Sequence, residues 1–147
     1  MTSLTASLRL LTSVLAMPLA TGPAWAQQSA PAPALTLELN GAQASEKGCR
    51  LTFVVNNTLG ADLSKAAFEI ALFNEAGVVD RLTVLDFKDL PAGKTKVTRF
   101  DLAGADCAKV SRVLINSSTE CAGTGIQPDA CMRDLKTETK TGIAFGV

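Results

Sequence analysis

The sequence predicts an all-β domain, a two-sheet antiparallel sandwich of seven short strands with one short helix near the C-terminus. Three observations carry this prediction. Apolar residues recur at every second position in several short runs, the mark of strands with one buried face. Clusters of turn-forming residues separate those runs at fairly even spacing. The four cysteines all lie downstream of an apolar N-terminal segment, as in exported domains stapled by disulfides.

Residues 49–79 show the pattern best. Cys49, Leu51, Phe53 and Val55 share one face of a strand, with Arg50 and Thr52 on the other. Asn56-Asn57-Thr58-Leu59-Gly60 interrupts the alternation with residues that favour turns. Residues 62–65 continue the connection. Phe68, Ile70 and Leu72 resume the period, with Glu69 on the opposite face. Asn74-Glu75-Ala76-Gly77 closes that strand, Gly77 being able to complete the turn at positive φ. Ala, Glu and Leu are good helix formers, so residues 66–73 also admit a helix. The segment is too short for one and sits between two turn signals.

The remaining elements follow in order. Residues 1–26 read as a signal peptide: Arg9 supplies the positive charge, residues 10–20 the apolar stretch, and Ala24-Trp25-Ala26 the small-residue site, with cleavage after Ala26. The stretch is shorter than the roughly 20 residues that span a bilayer. No second arginine adjoins Arg9, which favours the general secretory route over the twin-arginine one. No stable membrane anchor is expected after cleavage. Residues 27–34 form a disordered Pro/Ala-rich leader, and residues 35–147 the folded domain. Its first strand is 35–39, ended by the turn signal Asn40-Gly41. The fourth strand is 78–85, followed by a loop over 86–93 that contains Pro91 and Gly93. Lys94, Lys96 and Arg99 on the fifth strand, 94–102, mark an exposed face or a charge-protected edge. The sixth strand is 110–116, followed by a loop over 117–125. A short helix is placed at 128–135, with Pro128 at an early helical position. The last strand is 136–145, with Thr137, Thr139, Thr141, Ile143 and Phe145 on one face. Seven such strands make a sandwich of immunoglobulin type, with a closed barrel as the structural alternative. About 120 residues suffice for one core, burying about two-thirds of the unfolded surface.

The segment ALFNEAGVV at 71–79 resembles the core of FxLYD-type domains, small immunoglobulin-like sandwiches of exported bacterial proteins. Leu72-Phe73-Asn74 stand where that family has Leu-Tyr-Asp. Over most of its length after residue 34 the chain is also similar to a group of small exported alphaproteobacterial proteins. The resemblance implies export and fold, and no chemistry.

Export makes disulfides the default for Cys49, Cys107, Cys121 and Cys131. Four cysteines allow three pairings, and strand direction chooses among them. If strands alternate up and down, Cys49 opens strand two and Cys107 precedes strand six, so both lie at one end. Cys121 follows strand six and Cys131 precedes strand seven, at the other end. A seven-residue strand is about 23 Å long, whereas bridged Cα atoms lie within about 7 Å. The expected bridges are therefore Cys49–Cys107 and Cys121–Cys131. No CxxC and no histidine is present, which argues against zinc and against a redox-active pair. Cys121–Cys131 is the bridge to consider if one is labile.

Composition narrows the function. Removing residues 1–26 removes the one Trp and one of 14 basic residues, and none of 14 acidic ones, leaving a net charge of about −1. Without a basic stripe, Trp or Tyr, nucleic-acid binding is not expected. Without histidine there is no Ser-His-Asp triad or Cys-His dyad. Acid–base chemistry would fall to carboxylates, with Asp86, Asp89, Asp129 and Asp134 as candidates. Each is equally a turn or helix-end residue. Ala122-Gly123-Thr124-Gly125 contains a Gly-x-Gly but precedes no helix long enough for a phosphate site. Asn56 and Asn116 head glycosylation-type sequons that read as turns. No catalytic, cofactor-binding or metal site is assigned. The expected role is a non-catalytic periplasmic or secreted binding or assembly module with a protein partner. The alternatives are an enzyme with an unrecognised carboxylate site and a stability factor of an envelope complex. The candidate partner surface is Ile126, Pro128, Met132 and Leu135 in the loop between Cys121 and Cys131.

Overall fold

A computed structural model describes residues 30–147. The signal segment and the first part of the leader lie outside the described residues. Eight strands form two four-stranded sheets. They are β1 (Leu35–Ser45), β2 (Gly48–Asn57), β3 (Leu63–Asn74), β4 (Val79–Leu90), β5 (Thr95–Ala103), β6 (Val110–Ala122), β7 (Leu135–Thr139) and β8 (Ala144–Gly146). A single 3₁₀ turn, Cys107–Lys109, precedes β6, and one short helix, α1 (Ala130–Arg133), precedes β7. The first sheet has the order β5-β2-β1-β7 and the second β4-β3-β6-β8. The described residues are all-β, but the antiparallel seven-strand expectation is corrected. β7 runs parallel to β1, and β8 runs parallel to β6.

The eighth strand arises because the predicted last strand is broken. Thr139 and Thr141 turn their hydroxyls onto the local backbone. Thr141 N–H donates to Thr139 Oγ1 (3.1 Å), Ile143 N–H donates to Thr141 Oγ1 (3.1 Å), and Thr139 Oγ1 donates to the Ile143 carbonyl (3.2 Å). Hydroxyls that capture nearby backbone groups compete with ladder pairing. The chain therefore bends over 140–143, and β8 joins the opposite sheet.

The alternation expected for β2 and β3 appears as burial. Cys49, Leu51, Phe53, Val55, Phe68, Ile70 and Leu72 all belong to the core between the sheets. Phe53 sits at its centre, packed edge-on against Phe87, Phe100 and Phe145 with ring centroids 5.5–5.9 Å apart. Phe68 completes the cluster through Phe87. Five of the six phenylalanines thus face inward. Edge-to-face pairs of this kind add about 0.5–1.5 kcal/mol each beyond burial.

Several strands outrun the sequence expectation. Asn40-Gly41 is not a turn: β1 continues through a bulge between Leu39 and Gly41 and stays paired to β2 as far as Ser45 opposite Gly48. Gly48 is required there, because a Cβ would lie 2.3 Å from the Leu102 carbonyl oxygen on β5. β4 runs through the predicted loop to Leu90. It does so by a second bulge, at Phe87, between the pairs Ala67–Asp86 and Ala66–Lys88. The Asp86 carboxylate accepts from Lys88 N–H (2.9 Å), and Lys88 takes φ 62°, which keeps Phe87 in the core. β6 likewise extends past Asn116, absorbing the mismatch in shifts of register against β3. Asn56 and Asn116 therefore lie on strands rather than turns.

The connection after β2 is organised by Asn57, the one buried polar residue among those described. Its side-chain amide donates to the Ala61 carbonyl (2.9 Å) and the Leu90 carbonyl (2.8 Å), and its Oδ1 accepts from Leu59 N–H (3.0 Å). The last leader residue, Ala34, is buried and pairs with Thr58 through its backbone.

The bridges are Cys49–Cys107, with Cα atoms 4.9 Å apart, and Cys121–Cys131, at 5.8 Å. The first ties the start of β2 to the passage from β5 to β6. The second ties the end of β6 to α1 on the passage to β7. Both guard crossings between sheets, where ladder pairing contributes nothing.

Candidate partner-binding surface

The carboxylates flagged by the sequence do not converge. Asp86 is paired with Lys88 (2.6 Å), Asp89 with Lys96 (3.4 Å), and Asp129 and Asp134 both with Arg133 (2.8 Å each). The hydrogen bond from the Lys88 ammonium holds the Asp86 carboxyl below the usual aspartate range. A general acid needs the opposite shift. Among the described residues no group of three or more Cys, Asp or Glu side chains is placed to hold a metal ion. The Gly-x-Gly at Gly123 serves packing: a Cβ there would meet the Asp62 carbonyl oxygen at 2.2 Å.

The surface proposed from the sequence is partly consumed by the fold. Ile126, Met132 and Leu135 are half-buried and pack against the core, and only Pro128 is exposed. α1 is shorter than the predicted helix and begins after Pro128, at Ala130.

Among the described residues, four of the six exposed large apolar side chains gather around a different element. Val78 precedes β4 at 59% exposure and Val79 opens it at 48%, and Leu82 and Val84 follow at 57% and 51%. Strand register continues this patch across the outer face of the second sheet. Leu82 lies opposite Ala71, which in turn lies opposite Leu114 on β6. Val79 lies opposite Phe73, and Phe73 opposite Arg112. Val84 lies opposite Glu69, beside Ser117. Phe73 is the one phenylalanine outside the interior cluster. The Arg112 guanidinium stands 5.5 Å over its ring, a cation–π contact. Arg112 forms no ion pair among the described residues. Glu69 accepts a 2.6 Å hydrogen bond from the Asn116 amide, which draws its carboxylate toward β6.

The outer face of the first sheet is different. Its β2–β5 half carries the Arg50–Asp101 ion pair, with Thr52 beside Arg99. Arg50 donates a bidentate bond to Asp101, which holds Arg50 charged above its ordinary range and the Asp101 carboxyl below its own. Nothing on that face but the Val54–Val97 pair resembles the patch opposite.

Part of the β4 edge is already protected. Lys96 on β5 donates its ammonium to the Phe87 and Asp89 carbonyls (3.2 and 2.7 Å), and Arg81 donates to the Ala103 carbonyl (2.7 Å). With the bulge at Phe87, these contacts block strand addition at the end of β4. They leave the outer face around Leu82 open.

The alternation test finds an inward face and ignores the outward one, so this patch escaped it. The available signal was an excess: Val78, Val79, Leu82, Val84 and Leu85 place apolar residues on both faces of one strand.

Among the described residues no helix is long and apolar enough to cross a membrane. Two disulfides with no free cysteine among the described residues are the chemistry of an oxidising compartment. No family model, no curated protein and no solved structure matches the chain.

Proposed function

We propose that this chain is an exported, non-catalytic binding or assembly module, an immunoglobulin-like domain of the periplasm or the secreted fraction. In this reading it holds a protein partner on the outer face of its second sheet. Support for export comes from the signal-peptide pattern that ends at Ala26 and from both disulfides. The sheet memberships of β1 to β6 support the immunoglobulin-like assignment: β1, β2 and β5 lie on one sheet, with β3, β4 and β6 on the other. The observation that carries the binding role is the contiguous apolar face of Leu82, Val84, Ala71, Phe73 and Leu114. Contiguous apolar surface rimmed by polar groups marks interaction sites rather than scattered surface hydrophobes.

Site-specific photo-crosslinking tests this. A photoreactive side chain is introduced at Leu82, with Thr52 on the opposite sheet as the control. The expected result is one stoichiometric protein adduct from position 82 and none from position 52. No adduct from position 82, or a purified monomer that turns over a small molecule, would overturn the reading.

A further inference from the structure

We infer that the partner on this face is a second copy of the chain, bound about a two-fold axis that passes over Ala71. The inference rests on the reading of this face as a protein-binding surface and adds the identity of the occupant.

The face is self-complementary in its strand register. The face has three rows. The central row is Leu82, Ala71, Leu114. The row on one side is Val79, Phe73, Arg112, and the row on the other is Val84, Glu69, Ser117. A two-fold axis lying between two such faces, across the strands, turns the central row onto itself. It also exchanges the outer rows. Val79 of one copy then covers Val84 of the other, apolar on apolar. Leu82 meets Leu82 and Leu114 meets Leu114 across the small side chain of Ala71.

The charges obey the same symmetry. Arg112 and Glu69 are the only ionisable side chains in the three rows, and they occupy opposite outer rows. The Asn116 amide pulls the Glu69 carboxylate toward β6, the strand from which Arg112 of the other copy would descend. Each dimer therefore forms two Arg112–Glu69 pairs between copies. Each Arg112 keeps one face of its guanidinium on its own Phe73. Isologous interfaces of this kind need a patch that complements itself. Sheets that pack face to face accept the small crossing angle this requires.

Sedimentation equilibrium of the purified chain, at about 100 μM, is far enough above a low-micromolar Kd to report dimer. The expected species is a dimer. Leu82→Asp should give a monomer, and Arg112→Glu and Glu69→Arg should each weaken the dimer at least tenfold. The double variant Glu69→Arg/Arg112→Glu should recover affinity to within a few-fold of the parent. Recovery by the swap excludes misfolding as the cause of the single-variant losses. A monomeric parent chain, a dimer indifferent to Leu82→Asp, or a double swap as weak as the singles would overturn the inference. A monomeric chain that still forms a stoichiometric adduct with a different protein from position 82 sinks the homodimer and leaves the proposed function standing.

Discussion

Replacing Cys49 and Cys107 together by alanine should cost clearly more stability than replacing Cys121 and Cys131. The first bridge closes a sequence separation of 58 residues and the second one of 10. In the chain-entropy treatment the stabilisation grows with the logarithm of loop length, giving about 4.2 kcal/mol for the first and about 2.7 kcal/mol for the second at 25 °C. The comparison is clean because the packing losses match. Each bridge joins one fully buried cysteine, Cys49 or Cys131, to one half-buried cysteine, Cys107 or Cys121. The lost sulfur contacts therefore cancel in the difference, leaving about 1.5 kcal/mol from loop entropy. Equilibrium urea unfolding is the assay. With a slope of about 1.5 kcal/mol/M, the midpoint should fall by about 2.8 M for Cys49→Ala/Cys107→Ala and by about 1.8 M for Cys121→Ala/Cys131→Ala. The slope should rise in both, more in the first, because the freed unfolded chain exposes more surface. Equal losses, or a larger loss from the short loop, would refute the account. They would mean that the bridge to α1 acts through native contacts and not through the unfolded chain.

Three further outcomes follow from the packing and charge arrangement. Phe87→Ala should cost about 3–5 kcal/mol in urea unfolding, since it removes a buried ring packed against Phe53, Phe68 and Phe100. Phe73→Ala on the outer face should cost less than about half as much, and equal losses would contradict the division of faces. Asn57→Ala should cost about 1–3 kcal/mol, because the Leu90 carbonyl loses its buried donor. Asn57→Asp should be at least as damaging, since it sets a carboxylate against the same carbonyls, and a milder effect than alanine would remove the amide from this role. Asp86 and Asp101 are held below the ordinary aspartate value of about 3.9. Their contribution is therefore fully present above that value and is lost as pH falls through the depressed folded values. Both pairs are exposed, so the effect should be small and salt-screened. Asp101→Asn should flatten the acid limb of a stability profile measured by urea midpoints, and an unchanged limb would count against the assignment.

The sequence by itself determined what period-two order and cysteine position can encode. The inward faces of β2 and β3, Cys49 to Val55 and Phe68 to Leu72, were legible because burial there is a local alternation. Both bridges were legible because strand direction alone separates the ends of a sandwich. The tertiary structure decided where strands stop and which face stays open. Turn residues such as Asn40-Gly41 and 86–90 sit inside β1 and β4 because the partner strand supplies hydrogen bonds that outweigh a local turn preference. Phe87 stays in phase with Leu85 and enters the core from a stretch that reads as a loop, and the bulge there moves the next inward residue to Leu90. Thr139 and Thr141 break the last strand because their hydroxyls bond to backbone groups two to four residues away, a competition that period-two order does not reveal. The loop residues Ile126, Met132 and Leu135 were apolar enough to be a surface or a lining, and the core claimed them. That left Leu82 and Val84, whose neighbours across β3 and β6 come from distant parts of the chain, to form the open face.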